Sequence, residues 1–122
     1  SGGSSQRRIL YVSDGTASNR VDLRVSTDGV SPGMNVIVGG ASQATITPVV
    51  SATKFAGTYK ANDFSAAANG VLGTPDLSGT VPTVSQLNIG GGLGSEYLNG
   101  PLRRIAYYPR RLSNTELQGI TS

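Results

Sequence analysis

The stretch "NRVDLRVST", residues 19–27, decides the fold class. Val21, Leu23 and Val25 fall on one side of an extended chain, and Arg20, Asp22 and Arg24 fall on the other. This period-two alternation is that of an antiparallel strand with one face on an apolar core and one toward solvent. A helix of the same residues would scatter the three apolar side chains around its circumference.

The neighbouring sequence repeats the same grammar. Asp14-Gly15, Asp28-Gly29, Gly39-Gly40, Asn69-Gly70, Gly90-Gly91-Gly92 and Asn99-Gly100 are turn signals. Short extended segments lie between them. In "RRILYVSD" (7–14), Ile9 and Tyr11 share one face and Leu10 and Val12 the other. "MNVIVGG" (34–40) and "QATITPVV" (43–50) follow, and Pro48 places the second at a sheet edge or at its own end. "TKFAGTYKAND" (53–63) alternates Phe55, Gly57 and Tyr59 against Lys54, Ala56, Thr58 and Lys60. "FSAAANGVLGT" (64–74) reads as a hairpin turning at Asn69-Gly70. Residues 75–83 read as loop, and 84–91 as a strand with Leu87 and Ile89 inward. A last strand is expected over 102–109, and one helix over 114–120. Eight or nine short strands at this spacing predict an all-β, antiparallel sandwich or barrel.

Composition bounds the function. The chain has 122 residues, enough for one domain over 6–122, and "SGGSS" (1–5) reads as a flexible linker or expression remnant. Charged residues are 14%, against roughly 25% in ordinary soluble domains, so the surface is covered by small polar side chains. The chain contains neither Cys nor His, which removes disulfides, thiolate metal sites and the commonest general base. Ten basic against seven acidic residues is too mild an excess for a dedicated nucleic-acid surface. No apolar run approaches the ~18 residues that span a bilayer, so no membrane insertion is expected.

The segment "NGPLRRIAYYPRRLSNTEL" (99–117) combines a turn, a strand and a helix start. Asn99-Gly100 supplies the turn, Leu102, Ile105 and Tyr107 reach the core through a bulge, and Pro109 ends the ladder. Ser113 and Glu116 form a capping box with Leu117 as the apolar anchor. Gly100, Leu102, Ile105, Tyr107, Tyr108, Arg110, Leu112, Ser113, Glu116 and Leu117 together resemble the C-terminal signature of laminin-G-like, concanavalin-A-like jelly-roll domains. "SDGTASNRVDL" (13–23), "YKANDFSAAANG" (59–70) and "LSGTVPTVSQLNIGG" (77–91) are similar to the version found near the C-termini of phage and prophage tail-fibre and other virion proteins. The resemblance runs from residue 7 to 121. It implies a jelly roll, a virion or extracellular location, and a non-catalytic role. That role would be attachment to a cell-surface glycan or, alternatively, structural assembly of a fibre. Domains of this family carry further strands before the block that begins at Arg7. Their replacement here leads us to expect a homo-oligomer or a partner segment that completes a sheet edge.

Glycoside hydrolysis needs two carboxylates at a set separation, and no two of Asp14, Asp22, Asp28, Asp63, Asp76, Glu96 and Glu116 stand two or four residues apart. Catalysis is therefore not expected. Asp14 and Asp28 are weak candidates for a rim Ca²⁺, and plain turn geometry is the favoured reading of both; no other cofactor is expected. For carbohydrate, Tyr97 can stack on a sugar ring with Glu96 and Asn99 beside it, while Asn19 and Asp63 lie in turns that a sandwich can bring to one end. Packing of Tyr97 on the sandwich edge is the competing reading. Arg103, Arg104, Arg110 and Arg111 read as a solvated basic face or as an interface with a neighbouring chain. Nucleic-acid binding is not expected of them, because the signature explains both tyrosines as scaffold.

Overall fold

The computed structural model describes residues 7–25, 31–50, 53–89, 105–106 and 111–122. Its elements, in chain order, are β1 (Arg7–Ser13), β2 (Arg20–Val25), β3 (Pro32–Val38), β4 (Ala41–Ile46), β5 (Phe55–Lys60), β6 (Asp63–Ala68), β7 (Val71–Leu72), β8 (Gln86–Ile89) and α1 (Asn114–Thr121). Two antiparallel sheets form, one of five strands in the order β4-β3-β2-β1-β8 and one of three in the order β5-β6-β7.

The sheets meet through the residues that alternation predicts. Val21, Met34, Val36, Ala44 and Ile46 from the larger sheet pack on Phe64 and Ala66 from the smaller, with Leu23, Phe55 and Tyr59 around them. Burying one side chain such as Phe64 stabilises by about 1.5–3 kcal/mol. β4 ends at Ile46, two residues before Pro48, and stands at the edge of its sheet as Pro48 foretells.

The hairpins follow their turn chemistry. Asn69 and Gly70 join β6 to β7 with φ of 49° and 81°, the doubly positive pair that a two-residue turn demands. Asn69 Oδ1 also accepts from the backbone N–H of Thr53 and Lys54, tying the turn to the approach to β5.

The opposite face of the smaller sheet is covered by α1. Ser113 accepts from Glu116 N–H while the Glu116 carboxylate accepts from Ser113 N–H, so the capping box is complete. Leu112 and Leu117 pack on Ala67, with Ala56 and Leu72 alongside, and these small side chains let the helix approach the strands closely. Thr121 fastens its last turn by accepting from Gly70 N–H at 3.1 Å.

Three features depart from the alternation. Ile9 is squeezed out of the β1–β2 ladder, so Arg8 joins Tyr11 on the outer face, where simple counting puts Ile9. Leu87 and Ile89 pair with Val12 and Leu10 on the inward face, yet are 53% and 57% exposed, because the three-stranded sheet lies over β2, β3 and β4. Of the strand expected over 102–109, only Ile105 and Ala106 are among the described residues, and neither is in a strand. No helix among the described residues is long and apolar enough to cross a membrane.

Candidate functional site

Antiparallel pairing places the β1–β2 and β3–β4 turns at one end of the larger sheet. Asn19 stitches them together: its Oδ1 accepts from Gly39 N–H at 2.9 Å and its Nδ2 donates to Asp14 at 2.9 Å. Asp14 also accepts from Thr16 Oγ1–H at 2.6 Å and Thr16 N–H at 2.9 Å. The Thr16 hydroxyl first, then the Asn19 amide and the Thr16 N–H, hold the Asp14 carboxyl below its ordinary range. Both of its oxygens accept hydrogen bonds from within the turn, which is the geometry of an Asx turn and accounts for the residue without a cation. Among the described residues no three His, Cys, Asp or Glu side chains gather into a group that could hold a metal.

The β5–β6 turn joins the same end through Gly79 N–H donating to Asn62 Oδ1 and Thr80 N–H donating to Gln43 Oε1. Asp63 follows that turn, and its carboxylate receives Arg111 in a two-pronged pair, Nη2 at 2.8 Å and Nε at 3.1 Å. Arg111 Nη1 donates to the Leu112 carbonyl as well. Thus Asn19, Asp14 and Asp63 share one end of the molecule, each with its polar atoms engaged inside the chain. Glu96, Tyr97, Asn99, Asp28, Arg103, Arg104 and Arg110 lie outside the described residues.

A second arrangement lies on the outer face of the five-stranded sheet. Register aligns Asn88, Tyr11, Asp22, Asn35 and Thr45 in one row across β8, β1, β2, β3 and β4. Asp22 is the hub, 1% exposed although it faces away from the hydrophobic core. Its Oδ1 accepts from Arg8 Nη1 at 2.7 Å and Asn35 Nδ2 at 3.1 Å, and its Oδ2 accepts from Arg20 Nε at 2.8 Å. Asn35 Oδ1 in turn accepts from Thr45 Oγ1 at 3.3 Å. The guanidiniums of Arg8 and Arg20 both lie 5.8 Å from the Tyr11 ring centre, within cation–π range. Arg24 completes the face above Gly33, where any side chain would strike its guanidinium.

These side chains cover one another, which is why β2 is buried on both faces where alternation predicts a solvated one. The guanidiniums of Arg8 and Arg20 share Asp22, and long arginine stems can cover surface while their heads stay paired. The top of the row remains open: Thr45 and Gln86 are exposed, and Arg20, Asn35 and Asn88 are half-buried. The result is a flat field of guanidinium, amide and hydroxyl groups, ordered from beneath by one carboxylate. Such a surface offers hydrogen bonds to a polar ligand. Reading the sequence alone assigns Arg20, Asp22 and Arg24 to a solvated face and passes over Arg8, Tyr11 and Asn35. The Arg-x-Asp-x-Arg spacing on a strand was the available signal, since it stacks opposite charges on one side.

The chain matches no protein-family model, no curated protein and no solved structure.

Proposed function

We propose that this chain is a non-catalytic attachment domain of a virion protein, of the tail-fibre or spike type, built as a concanavalin-A-like jelly roll that binds a host-surface glycan. The observation that carries the binding role is the ordered polar face around Asp22, where Arg20, Asn35 and Thr45 are positioned before any ligand arrives. Preorganised donors cost less entropy on binding, and weak single sites gain strength when a fibre presents many copies. The virion context and the jelly-roll topology rest on the sequence blocks at 13–23, 59–70, 77–91 and 100–117.

The test is binding of the purified domain to a panel of bacterial envelope polysaccharides, with turnover followed in parallel. Binding without cleavage supports the reading. Silence across the panel, or release of reducing ends, overturns it.

A second reading, a purely structural assembly domain, is favoured by the exposure of Leu87 and Ile89 on the inward face of β8, the outermost strand of its sheet among the described residues. A stable dimer or trimer by sedimentation, together with no polysaccharide binding, would decide for it.

A further inference from the structure

We infer that Asn69-Gly70 is a latent site of spontaneous deamidation, guarded by helix α1, which holds the attacking nitrogen whatever the domain binds.

The chemistry is that of any Asn-Gly pair and needs water alone. The Gly70 backbone nitrogen gives up its proton and attacks Asn69 Cγ. The carboxamide C–N bond breaks, ammonia leaves with a proton, and a five-membered succinimide closes. Water then opens either imide carbonyl, giving aspartate or an isoaspartyl link, with no change of oxidation state. Glycine favours the ring because it carries no Cβ to obstruct its nitrogen.

Geometry treats the two halves of the pair differently. Asn69 Oδ1 accepts from Lys54 N–H at 2.8 Å, Thr53 N–H at 3.1 Å and Thr53 Oγ1–H at 3.2 Å. Donors on that oxygen polarise Cγ and stabilise the negative charge that attack places there. Gly70, the nucleophile, is clamped by α1 on both sides. Its N–H donates to Thr121 Oγ1 at 3.1 Å, and its carbonyl accepts from Gln118 Nε2 at 3.2 Å. Thr121 is buried, and its hydroxyl donates to the Leu117 carbonyl at 2.7 Å, so the clamp is itself fixed. Ser122 Cβ closes over the same spot, 3.6 Å from where a Gly70 Cβ would stand. The electrophile is prepared and the nucleophile withheld.

Freeing Gly70 requires α1 to lift from Ala67, where Leu112 and Leu117 seat it. Reaction then proceeds from the opened population alone. An isoaspartyl link adds one atom to the backbone of a two-residue turn, so Gly70 no longer meets α1 in register. The pair thereby keeps an irreversible record of helix opening.

The experiment incubates the parent, Thr121→Val and Thr121→Ser at mildly alkaline pH and follows aspartate and isoaspartate at position 69 by peptide mapping. Mapping separates this position from the other Asn-Gly pair, Asn99-Gly100. Parent chain in denaturing urea supplies the unguarded rate, and circular dichroism melting establishes that each variant folds. The folded parent should react about tenfold or more slowly than the unfolded chain. Thr121→Val keeps the shape but deletes the acceptor, and should speed the reaction about three- to tenfold, the size of one lost hydrogen bond. Thr121→Ser keeps the hydroxyl and should stay near the parent rate. A folded parent as fast as the unfolded chain, or a folded Thr121→Val no faster than the parent, overturns the inference. If Thr121→Val does not fold, hydrogen exchange at the parent's Gly70 amide decides. Across sub-denaturing urea, exchange and modification should accelerate in proportion, since both need the Gly70 N–H released from α1. Modification that does not track Gly70 exchange overturns the inference.

Discussion

Arg8 reaches Asp22 at 2.7 Å only because the residue between Arg8 and Leu10 drops out of the β1–β2 ladder. Without that bulge, regular alternation would turn Arg8 onto the inward face, among the apolar side chains. The bulge thus lets two guanidiniums, Arg8 and Arg20, close on one carboxylate and flank Tyr11. The net gain from a buried ion pair of this kind is small, because desolvation consumes much of its attraction, but removing one partner leaves the others uncompensated.

Asp22→Asn should therefore be costly. It leaves Arg8 and Arg20 without their shared carboxylate while both remain largely out of water. Breaking a buried pair from one side costs about 3–5 kcal/mol, and we expect the lower value because Asn still accepts one bond. The melting temperature should fall by on the order of 10 °C. A melting curve that coincides with the parent's would show that the network carries no such weight.

Gly57 sits on the inward face of β5 opposite Ala66. A Cβ there would meet Met34 Sδ and come within 2.9 Å of Leu23 Cδ2. Met34 is fully buried in the seam between the sheets, so it has little room to yield. Gly57→Val should destabilise by about 1–3 kcal/mol through overpacking. Chemical denaturation is the measure: the midpoint should shift with little change in slope, as a change in packing alone requires.

What could be read from the sequence, and what could not, divides along one physical line. Local rules sufficed for β2, for the Asn69-Gly70 hairpin and for the capped helix, because alternation, positive φ and capping are properties of a few adjacent residues. The Ile9 bulge has no such signature; it is set by pairing with β2, sixteen residues away in sequence by the Arg8–Arg24 register. Burial of Asp22 was hidden for the same reason, since its cover comes from Arg8 and Arg20 on two strands. Asp63 was legible as a turn residue, but its partner Arg111 is distant in sequence and only the fold unites them. Asn19 was legible as a turn residue at one end, and its bond to Gly39 shows what that turn holds.

Ser113→Ala removes the hydroxyl that accepts from Glu116 N–H at 3.1 Å. It does so without touching Leu112 or Leu117, which hold the helix against Ala67. The loss of an N-cap of this type costs about 1 kcal/mol. Hydrogen exchange should report it locally, with faster exchange at the first turn of α1 and little change in β2 and β3. Uniform acceleration across both sheets would instead mean that α1 and the core unfold as one unit.

Asp14 supplies the pH dependence. Its folded carboxyl titrates below the ordinary 3.8, chiefly because the Thr16 hydroxyl and the Asn19 amide donate to the charged form. A depressed folded value means that the ionised group favours the folded chain. That contribution is present in full above the ordinary value, and it is lost as pH falls through the folded one. Side-chain carboxyl NMR should give Asp14 a midpoint below 3.8. Thr16→Val, which keeps the backbone N–H but deletes the hydroxyl donor, should raise that midpoint toward the ordinary value, and Asn19→Ala should raise it by a smaller step. Asn19→Ala should also free Gly39 N–H, whose 2.9 Å bond ends on the Asn19 side chain, so its amide resonance should shift while that in Thr16→Val stays near the parent position. An Asp14 midpoint indifferent to both substitutions would mean that the turn's hydrogen bonds do not hold the carboxylate in solution.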